Sequence, residues 1–118
     1  MSVKSYKDLI IWQRSMDLVE LIYLITEDFP SKENFGLTSQ MRRAAVAVPS
    51  NIAEGYGRQS TGSYSQFLSI ARGSLFELET QVEICTRLKY FNKTESEKLT
   101  SEIVEISKMI SSLISKLH

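Results

Sequence analysis

Apolar residues recur at spacings of three and four along nearly the whole chain, the period of an α-helix. The pattern falls into four blocks. In the first, Ser5 to Asp28, one stripe runs Leu9, Trp12, Met16, Val19, Tyr23 and Thr26. A second stripe beside it runs Ile11, Leu18, Ile22 and Ile25. Ser5 with Asp8 resembles a capping box in which aspartate replaces glutamate. Leu9-Ile10-Ile11-Trp12 is apolar all round, more than a bundle helix buries on one face. The excess implies extensive internal packing or a subunit interface.

Phe29 to Gly36 reads as a loop, because Pro30 disfavours a helical Phe29 and Gly36 releases the turn. The second block, Leu37 to Tyr56, carries Leu37, Met41, Ala44, Val48 and Ile52 on its stripe. Pro49 lies inside it, where it removes a backbone hydrogen bond and clashes with the preceding turn, at about 3 kcal/mol. A kink or a division into two helices is predicted there. Ser50 and Asn51 follow directly and are suited to bond the backbone groups that the proline leaves unpaired. Gly55 and Gly57 are expected to end the block in a left-handed turn around Tyr56.

After the polar turn Arg58 to Gly62, the third block runs from Tyr64 to Tyr90. Its seam of Tyr64, Leu68, Ala71, Leu75, Leu78, Val82 and Cys85 has strict four-three spacing, and Ser63 with Gln66 fits a capping box. The fourth block, Glu95 to Leu117, repeats the spacing through Leu99, Ile103, Ile106, Ile110, Leu113 and Leu117, with Thr94 and Glu97 as its capping box. No segment alternates in the manner of a strand. Helices of 20 to 27 residues span about 30 to 40 Å, and short connections turn neighbours back on one another. The expected fold is all-α: an antiparallel up-down-up-down four-helix bundle, its second helix kinked at Pro49, with residues 1–118 forming one domain.

Composition narrows the chemistry. Fourteen basic and fourteen acidic residues balance, which argues against a strong non-specific nucleic-acid binder but leaves room for a local basic patch. Cys85 is the only cysteine and His118 the only histidine. No internal disulfide is therefore possible, and zinc sites, Cys/His nucleophile pairs and histidine acid–base catalysis have almost nothing to be built from. A bundle di-iron site also lacks its histidines, and the glycines around Tyr56 lack the strand and lysine of a phosphate-binding loop. The chain reads as a non-enzyme with no cofactor and no metal. It shows no apolar signal core and no membrane span, so the expected compartment is the cytoplasm.

Several stretches carry a family resemblance: Leu9-Ile10-Ile11-Trp12-Gln13, Phe29-Pro30, Glu33 through Gly36-Leu37-Thr38-Ser39-Gln40, Arg42-Arg43-Ala44, Pro49-Ser50-Asn51-Ile52-Ala53-Glu54-Gly55, Arg58, and Ala71-Arg72-Gly73-Ser74-Leu75-Phe76-Glu77-Leu78-Glu79-Thr80. The chain, from about Lys7 to Tyr90, resembles the bacterial four-helix-bundle proteins named for reading frames in intervening sequences of 23S ribosomal RNA genes. The resemblance implies an antiparallel bundle that assembles as a ring-like homopentamer. A related branch, the accessory variability determinant of diversity-generating retroelements, is similar in fold and binds nucleic acid and a reverse transcriptase. That branch is strongly basic, whereas this chain is neutral.

The middle of the chain is not neutral. From Leu37 to Phe76 there are four arginines, Arg42, Arg43, Arg58 and Arg72, against one acid, Glu54, a local excess of +3. Guanidinium groups suit bidentate contact with phosphate or carboxylate. One reading is a nucleic-acid-binding patch of Arg42, Arg43, Arg58 and Arg72 on structured RNA or DNA. The other is a structural polar network, in which Arg43 and Arg72 join Asn51, Glu54, Glu77 and Glu79 in ion pairs between the second and third helices. Gly73 suggests close helix approach, Tyr56 and Tyr64 packing, and Trp12 a buried or interfacial anchor. The sequence thus points to a non-enzymatic oligomeric bundle that binds structured nucleic acid. The alternative is a protein-interaction scaffold, or an accessory subunit of a nucleic-acid enzyme, that makes no nucleic-acid contact itself.

Overall fold

The computed structural model describes residues 3–118. Four α-helices follow in order: α1 Ile10–Thr26, α2 Leu37–Tyr56, α3 Thr61–Arg87 and α4 Lys93–Lys116, with 3-10 turns at Tyr6–Asp8 and Ser31–Glu33. The described residues contain no strand. Each helix packs on its chain neighbour and α4 returns to α1, so the four close a ring around one core. α1 faces α3 across that core, and α2 faces α4. Numbers rise along one helix as they fall along the next: Met41 meets Cys85 while Gly55 meets Tyr64, and Arg72 meets Ser111 while Thr86 meets Ser96. The body measures 43 × 24 × 22 Å, one long helix by two helix widths.

The three-four stripes are the core. Met41, Val48 and Ile52 from α2, Leu68, Leu75 and Leu78 from α3, and Leu99, Ile103, Ile106 and Ile110 from α4 are fully buried. Each contributes about 1.5–3 kcal/mol of burial. In α1 the two stripes separate. Ile11, Leu18 and Ile22 enter the core, while Met16 and Tyr23 of the other stripe stay exposed and Trp12 and Val19 are half-buried. Among the described residues no helix is long and apolar enough to cross a membrane.

Several helix ends differ from the sequence expectation. Ser5 accepts from Lys7 N–H to cap the first 3-10 turn, and α1 starts five residues later. α3 starts at Thr61 with Ser60 accepting from Ser63 N–H, so Gly62 lies within the helix. α4 starts at Lys93 with a reciprocal Asn92–Glu95 capping box in place of Thr94–Glu97. In both cases a polar residue nearer the connection reaches the orphan amides first. Neither Gly55 nor Gly57 is left-handed: Gly57 has φ −76, and the left-handed residue is Lys89, φ 66, after α3. There Tyr90 N–H reaches Cys85 C=O at 2.8 Å, the six-to-one bond of a Schellman ending.

The ends of the bundle and the outer helix pair are tied by side chains. Tyr90 Oη donates to Glu33 Oε2 at 2.8 Å, and Leu37 N–H donates to Glu33 Oε1 at 3.2 Å. The Tyr90 hydroxyl, then the Leu37 amide, hold the Glu33 carboxyl below the usual range. Arg14 of α1 reaches Glu102 at 2.9 Å and Glu105 at 2.8 Å on α4. This staple keeps the Glu105 carboxyl low and the Arg14 guanidinium firmly charged.

Candidate functional site

α2 runs unbroken from Leu37 to Tyr56 with Pro49 inside it, so the proline does not divide the helix. The side chains that follow bond back onto the same helix, one turn earlier. Ser50 Oγ donates to Val46 C=O at 2.7 Å, and Asn51 Nδ2 donates to Ala47 C=O at 2.8 Å. The carbonyl that Pro49 leaves without its helical donor is that of Ala45, four residues back, so neither side chain replaces the missing bond and the expected repair is not what they do. Pro49 is buried and turns toward α1, where it lines a groove with Tyr6, Trp12, Met16, Val19, Val46, Ser50 and Ala53, of about 330 Å³. The Trp12 ring stands edge-on to Tyr6 at 5.4 Å. This α1–α2 groove is where the surplus stripe of α1 emerges.

A second groove lies between α3 and α4. Phe76, 53% exposed, lines it with Glu79, Val104, Ser107, Lys108 and Ser111, in about 280 Å³. Ile70 and Ile84 also stand out of α3, at 47% and 41% exposure. In the ring of helices the α3–α4 groove lies diagonally opposite the α1–α2 groove.

The four arginines do not gather into one patch within a single chain. Arg42 binds α1: Nε donates to Thr26 Oγ1 at 2.9 Å, Nη2 donates to Tyr23 C=O at 3.2 Å, and the guanidinium lies 4.5 Å from the Tyr23 ring centre. Arg58 lies over the Phe67 ring at 4.7 Å and pairs with Glu54 at 3.7 Å. Arg72 donates to Ser111 Oγ of α4 at 3.0 Å. Arg43 is exposed and has no hydrogen bond or ion pair among the described residues. Arg42 and Arg43 share one depression near the start of α2, whereas Arg58 lies two residues past its other end, beyond Tyr56.

The proposed polar network is likewise dispersed. Asn51 bonds within α2, Glu54 pairs with Arg58 of the same helix, and Glu77 accepts from Gln81 one turn on at 3.4 Å. Glu79 lines the α3–α4 groove. No ion pair joins α2 to α3 among the described residues. What joins those helices is close packing of small residues. A Cβ on Gly55 would lie 2.7 Å from Phe67 Cβ and 3.1 Å from Tyr64 Cδ1, whereas one on Gly73 would meet nothing within 4 Å. Gly55, not Gly73, therefore permits the close approach. Tyr56 and Tyr64 pack edge to face at 6.1 Å.

Sequence reading missed the surroundings of Arg42 and Arg43. Tyr23, Asn34, Thr38, Ser39 and Val46 complete a depression of about 440 Å³ between the end of α1 and the start of α2. The Thr38 hydroxyl is buried and unpartnered. The unusual Thr38-Ser39 start to a helix bearing two arginines was the available signal.

The fold and these surfaces define an all-helical bundle with two apolar grooves and one arginine, Arg43, that has no hydrogen bond or ion pair among the described residues. The family model of the 23S rRNA-intervening sequence protein matches residues 7–112, and the chain belongs to that family. The fold is similar to a crystal structure of a protein of unknown function from the S23 ribosomal protein family of Bacteroides thetaiotaomicron, with TM-score 0.81 and 23% identity over 89% of this chain and 98% of that one. No curated protein matches the sequence.

Proposed function

We propose that this protein is a non-enzymatic bundle that works by association, first with further copies of itself. The observation that carries this is the pair of apolar grooves on opposite sides of the bundle. Apolar surface left in water costs about 25 cal/mol per Å², and contiguous exposed apolar surface marks interaction sites. Two different faces on opposite sides suit head-to-tail contact, which closes into a ring when the rotation permits. The family resemblance makes a pentamer the stoichiometry to test. Burial pushes the Cys85 thiol up to about 11, so it stays protonated and is no nucleophile. His118, the only histidine, is engaged with Ser65 Oγ at 2.9 Å. Both support a non-enzymatic role, and the lone cysteine fits the cytoplasm.

Light scattering tests the assembly. A mass near five chains is expected for the wild type, and a monomer mass with an unchanged helical spectrum for Val46→Lys. A monomeric wild type at every concentration overturns the reading.

A second reading makes structured RNA or DNA the partner. Exposed and unpaired Arg43 favours it, because a ring would repeat that charge around its axis. Titration at low and near-physiological salt should show binding that weakens steeply with salt, as phosphate contacts require, and that Arg43→Glu abolishes. No binding at low salt leaves a protein partner, such as a nucleic-acid enzyme, as the target.

A further inference from the structure

We infer that the depression between the end of α1 and the start of α2 is a site for one phosphate-type oxyanion. It shares Arg43 with the nucleic-acid reading but does not rest on it.

The groups around this depression are donors. Arg43 has a whole guanidinium unspent, and Arg42 keeps Nη1 after its bonds to Thr26 and Tyr23. Those bonds and the Tyr23 ring hold the Arg42 fork in place, so little freedom is lost when it binds. Ser39 and Asn34 add a hydroxyl and an amide. Thr38 lines the same depression, is only 6% exposed, and has a buried hydroxyl with no partner. A buried hydroxyl left unpaired costs about 1–3 kcal/mol, and a turn of the Thr38 side chain outward to a bound anion would remove that cost.

The backbone points the same way. α2 is 20 residues long, its N-cap Gly36 has no side chain to offer, and its first turn holds no acidic residue, so its one side-chain cap comes from Glu33 in the preceding turn. Leu37 N–H is taken by Glu33, but Thr38 and Ser39 N–H groups belong to the unpaired first turn. A helix N-terminus carries positive partial charge, and the two arginines one turn further in outnumber the single Glu33 carboxylate there, so the local balance stays positive. Glu33 is the one acid bonded to this end, and Tyr90 and Leu37 occupy its oxygens.

The other depressions differ from this one in charge. The α3–α4 groove holds Glu79 beside Lys108, and a smaller depression between α1 and α4 holds Asp17 and Glu102 beside Lys98. The α1–α2 groove has no charged lining. The site at Arg42 and Arg43 alone among these has cations and no carboxylate in its lining. A lining with two forked guanidinium groups, hydroxyls, an amide and no carboxylate suits a tetrahedral oxyanion. Its volume of about 440 Å³ leaves room for the rest of a phosphorylated molecule.

Calorimetric titration of the full chain with inorganic phosphate, at constant ionic strength held by chloride, tests this. Saturable binding is expected. Arg43→Gln should weaken it about tenfold or more, and Thr38→Val about threefold, with helical spectrum and oligomeric mass unchanged. Neither side chain makes a hydrogen bond or ion pair among the described residues, and valine keeps the shape of Thr38, so neither variant removes a polar contact of the fold. A short oligonucleotide then separates the sources. Binding that phosphate competes away places a nucleic-acid backbone in the site; phosphate binding without oligonucleotide binding makes the ligand a small phosphorylated molecule. Either result supports the site. No saturation with phosphate, or affinity unmoved by both substitutions, overturns it, whatever the oligomeric state proves to be.

Discussion

The two ends of α2 carry similar side chains and use them differently. At the C-terminal end, Arg58 is taken up by Phe67 and Glu54, and Gly55 lets α3 come close enough for Tyr64 and Phe67 to pack on the backbone. At the N-terminal end, Arg42 is spent on α1, but Arg43 and the Thr38 hydroxyl are left without partners. Opposite ends of one helix thus differ in whether their polar groups are spent on the fold. A charge counted along the chain is not a charge available to a ligand: three of the four arginines in the +3 segment already have partners.

The sharpest way to break this contrast is at the closed end. Gly55→Ala should lower stability by about 2 kcal/mol, the strain of forcing a methyl against Phe67 outweighing the gain in helix propensity. Gly73→Ala, in open space, should instead raise stability by about 1 kcal/mol. Urea denaturation of the pair measures both, and equal signs would remove the packing argument.

At the open end, Arg42→Met keeps much of the side-chain bulk and removes both bonds to α1. A loss of about 1–2 kcal/mol is expected by the same assay. A smaller effect belongs to Tyr90→Phe, which takes away the hydroxyl on Glu33. The Glu33 carboxyl is held low in the folded state, so its contribution is present above its unfolded pKa and is lost as pH falls through the depressed folded value. The difference in melting temperature between wild type and Tyr90→Phe should be constant near neutral pH and disappear in acid. Arg43→Gln should change stability least, within about 0.5 kcal/mol. A clear loss of stability there would mean that Arg43 has a structural partner after all.

Much of the fold was legible because helical periodicity is a local property. The stripes in α2, α3 and α4 became the core almost residue for residue, from Met41 to Ile52, Leu68 to Cys85 and Leu99 to Ile110. The helix ends were less legible. Ser60 and Asn92 compete with Ser63 and Thr94 for the same first-turn amides, and which wins depends on how the preceding connection enters. In α1 the sequence showed two apolar stripes without saying which faced inward. Only the neighbouring helices decide that Ile11 and Leu18 are buried while Met16 and Tyr23 are not.

The candidate site was legible only in part. Arg42 and Arg43 stood out by composition, but Tyr23, Thr26 and Asn34 lie 8 to 20 residues before them in sequence and meet them only when α1 turns back through the Phe29–Gly36 loop. The Arg14 staple to Glu102 and Glu105 spans 88 and 91 residues, beyond any local pattern. By itself the sequence determined four helices, their inward faces in α2 to α4, and a chain with a single cysteine and a single histidine. Those follow from residue type and spacing along one helix. Which arginines are spent, which apolar stripe is uncovered and which hydroxyl is buried alone were decided by tertiary structure, because each depends on what a different helix brings within a few ångströms.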